Sequence, residues 1–335
     1  MLILGFETSC DETSAAVVKN GQQVLSNVIA SSLKEHRRYG GIIPEIASRR
    51  QLEFINTVTK RCLKGSGVDL RHIDGLAVTH TPGLIGSLLV GLSYVKALSF
   101  SLTIPLMEVD HIKAHLYAPF LHDAKAPRNK KIPRLPAVGL IASGGHTSLY
   151  RINHLTSFRL LGQTRDDAVG EAFDKVSRIL GLGYPGGPII DKVAKQQKES
   201  RMDFSCARLP HSHDFSFSGI KTAVLYHVQK HKKNLTNKDI AEIAHAFQKN
   251  VVAVLVEKCI RACRSQKVNS LILGGGVTAN SSLRTRLLQE GTKNNIDVFL
   301  PPMNLCIDNA AMIAGLAFHQ FKKAATINKK EKRKV

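Results

Sequence analysis

The chain opens on Leu2-Ile3-Leu4-Gly5-Phe6, an apolar run that predicts a buried strand. Glu7-Thr8-Ser9-Cys10-Asp11-Glu12-Thr13-Ser14 follows, dense in carboxylates and hydroxyls. Ala15 to Lys19 predicts a second strand, Asn20-Gly21 a hairpin turn, and Gln23 to Val28 a third strand that completes a meander. The pattern recurs from Pro136 to Gly162. Apolar Val138 to Ser143 leads into Gly144-Gly145-His146, then into strands around Leu149 to Ile152 and Phe158 to Leu161. At an offset of 134 (139 − 5), Gly5, Ser9, Thr13 and Ser14 meet Gly139, Ser143, Thr147 and Ser148. Two similar lobes of one α/β fold are the prediction.

Between the repeats, the segment from Tyr39 predicts a loop entering a helix towards Leu63, and Gly75 to His80 a strand. The apolar stretch around Leu88 to Leu98 predicts a helix packed under the sheet. It is the one membrane suspect, but it carries Lys96 and several serines and runs into Pro105, so no membrane span is expected. Ile104 to Val109 predicts a short strand feeding the helix of Asp110-His111-Ile112-Lys113-Ala114-His115. The second half reads as mostly helical, with Asp191 opening one helix and Asp239 to Arg264 forming a long amphipathic one. Ser270 to Asn280 reads as a strand opening onto a triple glycine, and Leu305 to Gly315 puts Asp308 at the start of an apolar helix. The expected boundaries are an N-terminal lobe over 1–134 and a C-terminal lobe over 135–321 with a helical insertion near 164–265. A basic, disordered tail over 322–335 completes the division.

Composition narrows the partners. Lys plus Arg number 47 against 26 Asp plus Glu, a formal charge of +21, which favours polyanions, nucleic acid first. The basic loop from Ala124 to Arg134 suits either a phosphate backbone or solvent. Six cysteines with no CxxC pair suit a reducing compartment, and the apolar start is too short for a signal peptide, so the expected location is cytoplasmic.

The chemistry centres on His111 and His115, which share one helical face and can reach one ion. On spacing alone the pair is equally compatible with a surface feature. Ile112 stands where the HExxH zinc-protease motif has its glutamate, so a peptidase reading lacks its base. Two imidazoles leave an ion short of ligands, so a third, a carboxylate, must come from elsewhere, and Asp308 is a candidate. As an alternative, Asp308 is a helix N-cap. Asp11 and Glu12 suit phosphate or cation chemistry, and the glycine turns at Gly144-Gly145 and Gly274 to Gly276 let backbone approach a phosphate or ring.

Nine motifs in order carry a resemblance: ETSCDETSAAVV, YGGIIPEIASR, TPGLIGSLLVG, DHIKAHLYAPFL, SGGHT, GEAFDKVSRILGLGYPGGP, DFSFSGIKTAV, LGGGVTAN and CIDNAAMIAG. The chain resembles the Kae/TsaD family of tRNA N6-adenosine threonylcarbamoyltransferases from Leu2 to about Phe321. That resemblance implies a duplicated actin-like, sugar-kinase and Hsp70-ATPase (ASKHA) fold, with two lobes around a nucleotide cleft. It implies transfer of a threonylcarbamoyl group from threonylcarbamoyl-AMP to N6 of an adenosine beside the anticodon, in tRNAs reading codons that start with adenine, with AMP released. It makes His111, His115 and Asp308 ligands of one divalent metal, Fe2+ first and Zn2+ second.

By the same resemblance, Ile141, Ala142, Ser143, Gly144 and Gly145 cradle the acyl-adenylate, and AMP or ATP can occupy the same cleft. Asp174, Gly187, Asp191 and Asn280 match nucleotide and ribose positions, and Asp11 and Glu12 match acidic positions with catalytic potential. Gln51 stands where His is usual, and Leu305 and Ile307 flank Cys306 where more polar residues are usual. The implied partners are tRNA and a separate synthase that supplies the adenylate. A TsaB-like paralogous subunit and a TsaE-like ATPase join them if the chain is bacterial, or a second copy of the chain if organellar. Two rivals remain: an ASKHA-type phosphotransferase, which has no need of the His pair, and a non-catalytic tRNA-binding scaffold, which has no need of the acids.

Overall fold

The computed structural model describes residues 1–124, 131–231 and 235–331. Most of the basic Ala124 to Arg134 loop therefore lies outside the described residues. In chain order the first elements are β1 (Leu2–Glu7), β2 (Glu12–Lys19), β3 (Gln23–Ser31), α1 (Leu33–Arg37), α2 (Pro44–Ser66), β4 (Gly75–Thr81), α3 (Ile85–Leu102), β5 (Leu106–Asp110), α4 (His111–Tyr117) and β6 (His122–Asp123). Next come β7 (Ala137–Ala142), β8 (Thr147–His154), β9 (Ser157–Gln163), α5 (Val169–Ile179), α6 (Gly186–Ala194), α7 (Ser218–His231) and α8 (Asn237–Ser265). The last are β10 (Ser270–Gly274), α9 (Ser281–Lys293), β11 (Asp297–Phe299) and α10 (Ala310–Glu331).

The chain divides into two compact units. Unit 1 comprises Met1–Ile132 and Ile307–Val335, and unit 2 comprises Pro133–Cys306. Sheet order is β5-β4-β1-β2-β3-β6 in unit 1 and β11-β10-β7-β8-β9 in unit 2. In each, three antiparallel meander strands are extended on the β1 or β7 side by two parallel ones, and in unit 1 the short β6 adds in parallel to β3. The registers repeat as well. Gly5 opposes Ala16 and Gly139 opposes Tyr150, the same pairing carried through the offset of 134 (139 − 5 and 150 − 16). The expected duplication is a property of the backbone.

In unit 1 the side chains of β1 alternate between two faces. Leu4 and Phe6 join Val17, Val78, Ile55 and Val58 of α2 and Val95 of α3 in one core. The opposite face takes α10. A methyl group at Gly5 would lie 2.7 Å from the Ala310 carbonyl and 2.8 Å from the Ala314 side chain, so the absent Cβ sets how closely helix and sheet approach. In unit 2, α8 packs on β7, and α5, α6 and α7 join the same core, with Phe173, Phe215, Phe217 and Phe247 among its fully buried rings.

The structure departs from four expectations. Residues 307–321 belong with the N-terminal unit rather than with a lobe over 135–321, because α10 packs on β1, β2, β4 and β5. The stretch after Phe321 is helical to Glu331 rather than disordered, and residues 332–335 lie outside the described set. Asp191 lies inside α6, which already starts at Gly186. Finally, α3 is not packed under the sheet all round. Ser87, Leu88, Gly91 and Val95 are buried, but Ile85, Leu89 and Phe100 project from one stripe, Phe100 91% exposed. Among the described residues α3 alone has the length and apolarity of a membrane span, and only 22% of that window is buried.

Candidate functional site

Two sets of predicted residues come together, one in each unit. In unit 1, Asp110 ends β5 and its carboxylate accepts the Lys113 N–H at 3.0 Å, fixing the start of α4. One turn apart on α4, the imidazoles of His111 and His115 lie 4.6 Å between centroids and nearly perpendicular. Asp308 arrives from the other end of the chain. Its Oδ1 is 3.0 Å from His115 Nε2 and 3.6 Å from His111 Nε2.

Asp308 lies one residue before the residue that caps α10. Asn309 takes that role, its Oδ1 accepting the Met312 N–H at 3.1 Å, while Ser14 Oγ accepts the Ala310 N–H at 3.0 Å. The helix start is thus tied to β2, and Asp308 is held one residue outside it. All three donors sit in unit 1, so the set does not bridge two lobes.

The set fits a divalent cation. The three ligand atoms lie within 4.8 Å of one another. Donors around an ion with bonds of about 2.1 Å stand about 3.0 to 3.5 Å apart, close to the two separations from Asp308. Ligation also requires neutral imidazoles with the lone pair on Nε2.

Glu7 supplies the second part of that condition, the place of the proton. Wholly buried at the end of β1, it accepts from His111 Nδ1 at 2.9 Å, from Thr79 Oγ1 at 2.5 Å and from the Ser9 N–H at 2.6 Å. A carboxylate on Nδ1 fixes both the tautomer and the plane of the ring. Burial alone would lower the affinity of His111 for a proton. The Glu7 and Asp308 carboxylates outweigh it and raise the imidazole to about 9. Sequence reasoning missed Glu7. A carboxylate at a strand end facing a helix 104 residues later leaves no local signal.

Asp11 lies on the turn from β1 to β2 and Glu12 opens β2, both close enough to Asp308 to feel its charge. Burial and then Asp308 raise Asp11; burial, Asp11 and Asp308 raise Glu12 to about 8, against one hydrogen bond from Ser31 Oγ at 2.9 Å. Glu12 Oε2 is buried with no partner. Gln51, where His is usual, holds this turn: its amide donates to the Cys10 carbonyl at 2.8 Å, with Thr8 and Glu12 carbonyls at 3.3 Å.

In unit 2 the side chains of Ile141 and Ala142 are buried in the core and their backbones sit in the ladder, so outward-facing groups start at Ser143. Ser143 Oγ accepts the His146 N–H at 3.2 Å, and its carbonyl accepts the Gly170 N–H at 3.1 Å, which docks the start of α5 on the turn. Gly144, Gly145, Gly187 and Gly276 have open space where a Cβ would go, room for a ligand against backbone. Gly275 differs: at φ +94° it presses against the Ala142 carbonyl, and a Cβ there would clash at 2.5 Å.

Asp174, on α5, accepts the Gly186 N–H at 2.7 Å beside Gly187, and burial raises it. Asp191 accepts Ser281 Oγ at 2.8 Å and pairs with Lys195. Next to Ser281, Asn280 caps α9 through the Leu283 N–H at 3.0 Å and donates to Gln248 Oε1 at 2.7 Å. Gln248, buried on the long α8, is a second residue the sequence did not single out. This set places small-residue turns and three helix N-termini together, which suits a phosphate and a ribose.

Residues 23–315 match the profile of the family described as TsaD: tRNA N6-adenosine threonylcarbamoyltransferase. Proteins of that name are similar over nearly the whole chain. One from Syntrophus aciditrophicus is 48% identical over 94% of this chain and 90% of its own length. Another from Clostridium botulinum is 47% identical over 95% and 92%, and one from Caldicellulosiruptor bescii 44% over 99% and 96%. Among solved structures, full-length HypF in its phosphate- and nucleotide-bound form aligns with a TM-score of 0.59 at 16% identity, over 95% of this chain and 46% of that one. Component A of (R)-2-hydroxyglutaryl-CoA dehydratase from Acidaminococcus fermentans aligns with 0.53 at 13%, over 97% and 99%. These structures share the ASKHA fold.

Proposed function

The chain belongs to the TsaD family of tRNA N6-adenosine threonylcarbamoyltransferases, and we propose that it works through the two residue sets above. It is a transferase that modifies tRNA to threonylcarbamoyladenosine. The finer assignments are our reading. His111, His115 and Asp308 hold one divalent cation, Fe2+ first and Zn2+ second, both of them suited by two imidazoles and a carboxylate. Such an ion, when bound, supplies Lewis-acid polarisation of an acyl carbonyl.

The chain's own groups do the rest. The exocyclic amine of adenine is a poor nucleophile and must lose a proton as the new bond to the acyl carbon forms and AMP departs. Glu12 takes that proton in our assignment. It is preferred to Asp11 because Oε2 is buried without a partner, and burial beside Asp11 and Asp308 raises its affinity for a proton, which makes its carboxylate the stronger base. The backbone N–H groups of Gly144 and Gly145 and those at the triple glycine hold the phosphate of threonylcarbamoyl-AMP. Asp174, Gly187, Asp191 and Asn280 take its ribose and adenosine side.

The relatives named above are bacterial, which favours the bacterial partner set: a TsaB-like paralogue, a TsaE-like ATPase and a separate synthase for the adenylate. The stripe of Ile85, Leu89 and Phe100 on α3 gives a paralogue an apolar face to cover. A tRNA substrate and six free cysteines favour the cytoplasm.

The observation that carries the reading is the convergence of both Nε2 atoms on Asp308. The test is His115→Ala, purified anaerobically with its wild-type control. Metal content should fall to a small fraction and threonylcarbamoyl transfer to tRNA should be lost, with helix and strand content kept. A variant without metal that transfers at the wild-type rate would make the ion incidental.

A further inference from the structure

Outside both residue sets, unit 2 carries a groove of about 520 Å³ between α8, α9 and the loop at Arg208. Its floor is apolar, Ala253, Val256 and Ile260 of α8, and its walls are Arg208, Arg261, Arg264 and Arg286. The pairing of these guanidiniums is unequal. Arg208 is neutralised by Glu257, and the other lining carboxylate, Glu290, is taken by Lys293 at 2.8 Å. Arg261 donates to the carbonyls of Pro210 and Ser212, Arg264 to Asn294 Oδ1, and Arg286 to the Lys249 carbonyl at 3.2 Å. Arg261 and Arg264 are thus fixed in place by neutral acceptors, and Arg286, which shares Glu290 with Lys293, keeps N–H donors to spare as they do.

The rim is built at some cost. Lys258 is wholly buried, and its ammonium donates to the Leu209 and Ser212 carbonyls at 3.0 and 2.6 Å. Together with Arg261 it pins a loop in which Leu209 adopts φ +45°. A charge in the core and a strained residue persist only where the surrounding contacts over-determine them. The basic line also continues past the end of α8. Arg151 and Arg159 both donate to Gln266 at 2.7 Å, again a neutral acceptor.

We propose that this groove is a docking surface for the phosphodiester backbone of the tRNA substrate. Guanidiniums present flat, paired donors that match phosphate oxygens, and an apolar floor between them suits a ribose or base face. An acidic protein would need carboxylates on a surface complementary to this floor, whereas a nucleic acid brings charge and flat apolar surface in one chain. The proposal rests on tRNA being the substrate.

The test is tRNA binding by the full-length chain between about 50 and 200 mM salt, a range over which phosphate contacts change affinity strongly. The variant is Arg264→Glu with Arg286→Glu. The control is Lys19→Glu with Lys230→Glu, equal in charge change and outside the groove. The groove variant should bind tRNA at least tenfold more weakly than the control, and its slope of log K against log salt should shrink by roughly 0.7 to 0.9 per phosphate lost. KM for tRNA should rise, with kcat at saturating tRNA and metal content kept.

Affinity and slope within twofold of the control would overturn the proposal, as would a wild-type chain with no tRNA binding at the lowest salt. Unchanged tRNA binding with loss of polyglutamate binding would assign the groove to an acidic protein instead. A wild-type chain that binds tRNA in the groove yet modifies none would sink the catalytic reading and leave the surface standing.

Discussion

Glu7→Gln isolates the role of a residue that touches no proposed ligand of the ion except His111. The carboxylate is wholly buried and accepts three donors, His111 Nδ1–H, Thr79 Oγ1–H and the Ser9 N–H. Glutamine has the same shape but only one acceptor oxygen. If its NH2 faces Ser9, two donors oppose each other in a buried site, at about 1 to 3 kcal/mol. If its NH2 faces His111, the imidazole must accept at Nδ1 and carry its proton on Nε2, the atom 3.6 Å from Asp308, which then cannot ligate. Either way metal affinity should fall by roughly 10- to 100-fold, the usual effect of losing such a partner.

Linkage turns this into a thermal measurement. At a metal concentration of 100 times the wild-type Kd, binding stabilises the fold by about 2.7 kcal/mol. The same concentration should add only about 1.4 kcal/mol for a tenfold weaker site and about 0.4 kcal/mol for a hundredfold weaker one. Melting with and without metal, under anaerobic conditions and beside competition against a chromophoric chelator, separates this from any loss in the metal-free fold. A Glu7→Gln chain that competes for metal as well as the wild type would refute the argument, and Glu7 would be only a structural acid.

Three other perturbations follow from the geometry. Glu12→Gln tests the buried carboxylate: a raised folded pKa means the folded state prefers the neutral form, so wild-type stability should fall as pH rises from about 4.5, the ordinary value, to about 8. The metal-free variant should escape that loss, and parallel melting curves for the two chains across this window would contradict it. Gly5→Ala puts a methyl 2.7 Å from the Ala310 carbonyl, so α10 must move; the expected cost is about 1 to 3 kcal/mol in stability with reduced metal retention, read by melting and metal content. Deleting 327–335 removes Lys329, Lys330, Lys332, Arg333 and Lys334 against one acid, Glu331. It should weaken tRNA binding and flatten its salt dependence without changing metal content, and unchanged affinity at physiological salt would exclude a role for the tail.

The parts of this protein that the sequence determined are those written in local periodicity. Apolar runs broken by Asn20-Gly21 and by Gly144-Gly145 specify the two meanders, and the offset of 134 (139 − 5) specifies their likeness, since strand pairing follows side-chain alternation and turn chemistry. The spacing of His111 and His115 likewise fixes a shared face on any helix. Chain-distant choices were left to the tertiary structure. Asp308 and Asn309 are adjacent and each is a competent cap. The packing of Ala310 and Ala314 against the bare backbone of Gly5, with Ser14 bonded to the helix start, gives the cap to Asn309 and turns Asp308 to the imidazoles.

The same packing carries the last helix into the first unit, which a division by sequence position cannot foresee. The partnership of Glu7 with His111 depends on β1 and β4 lying side by side with α4 at their end. Residues in α3 are apolar on nearly every side, so periodicity could not tell which of them face solvent. Local rules act over a few residues, and what lies beyond them is settled only when the sheet and its helices compete for the same buried face.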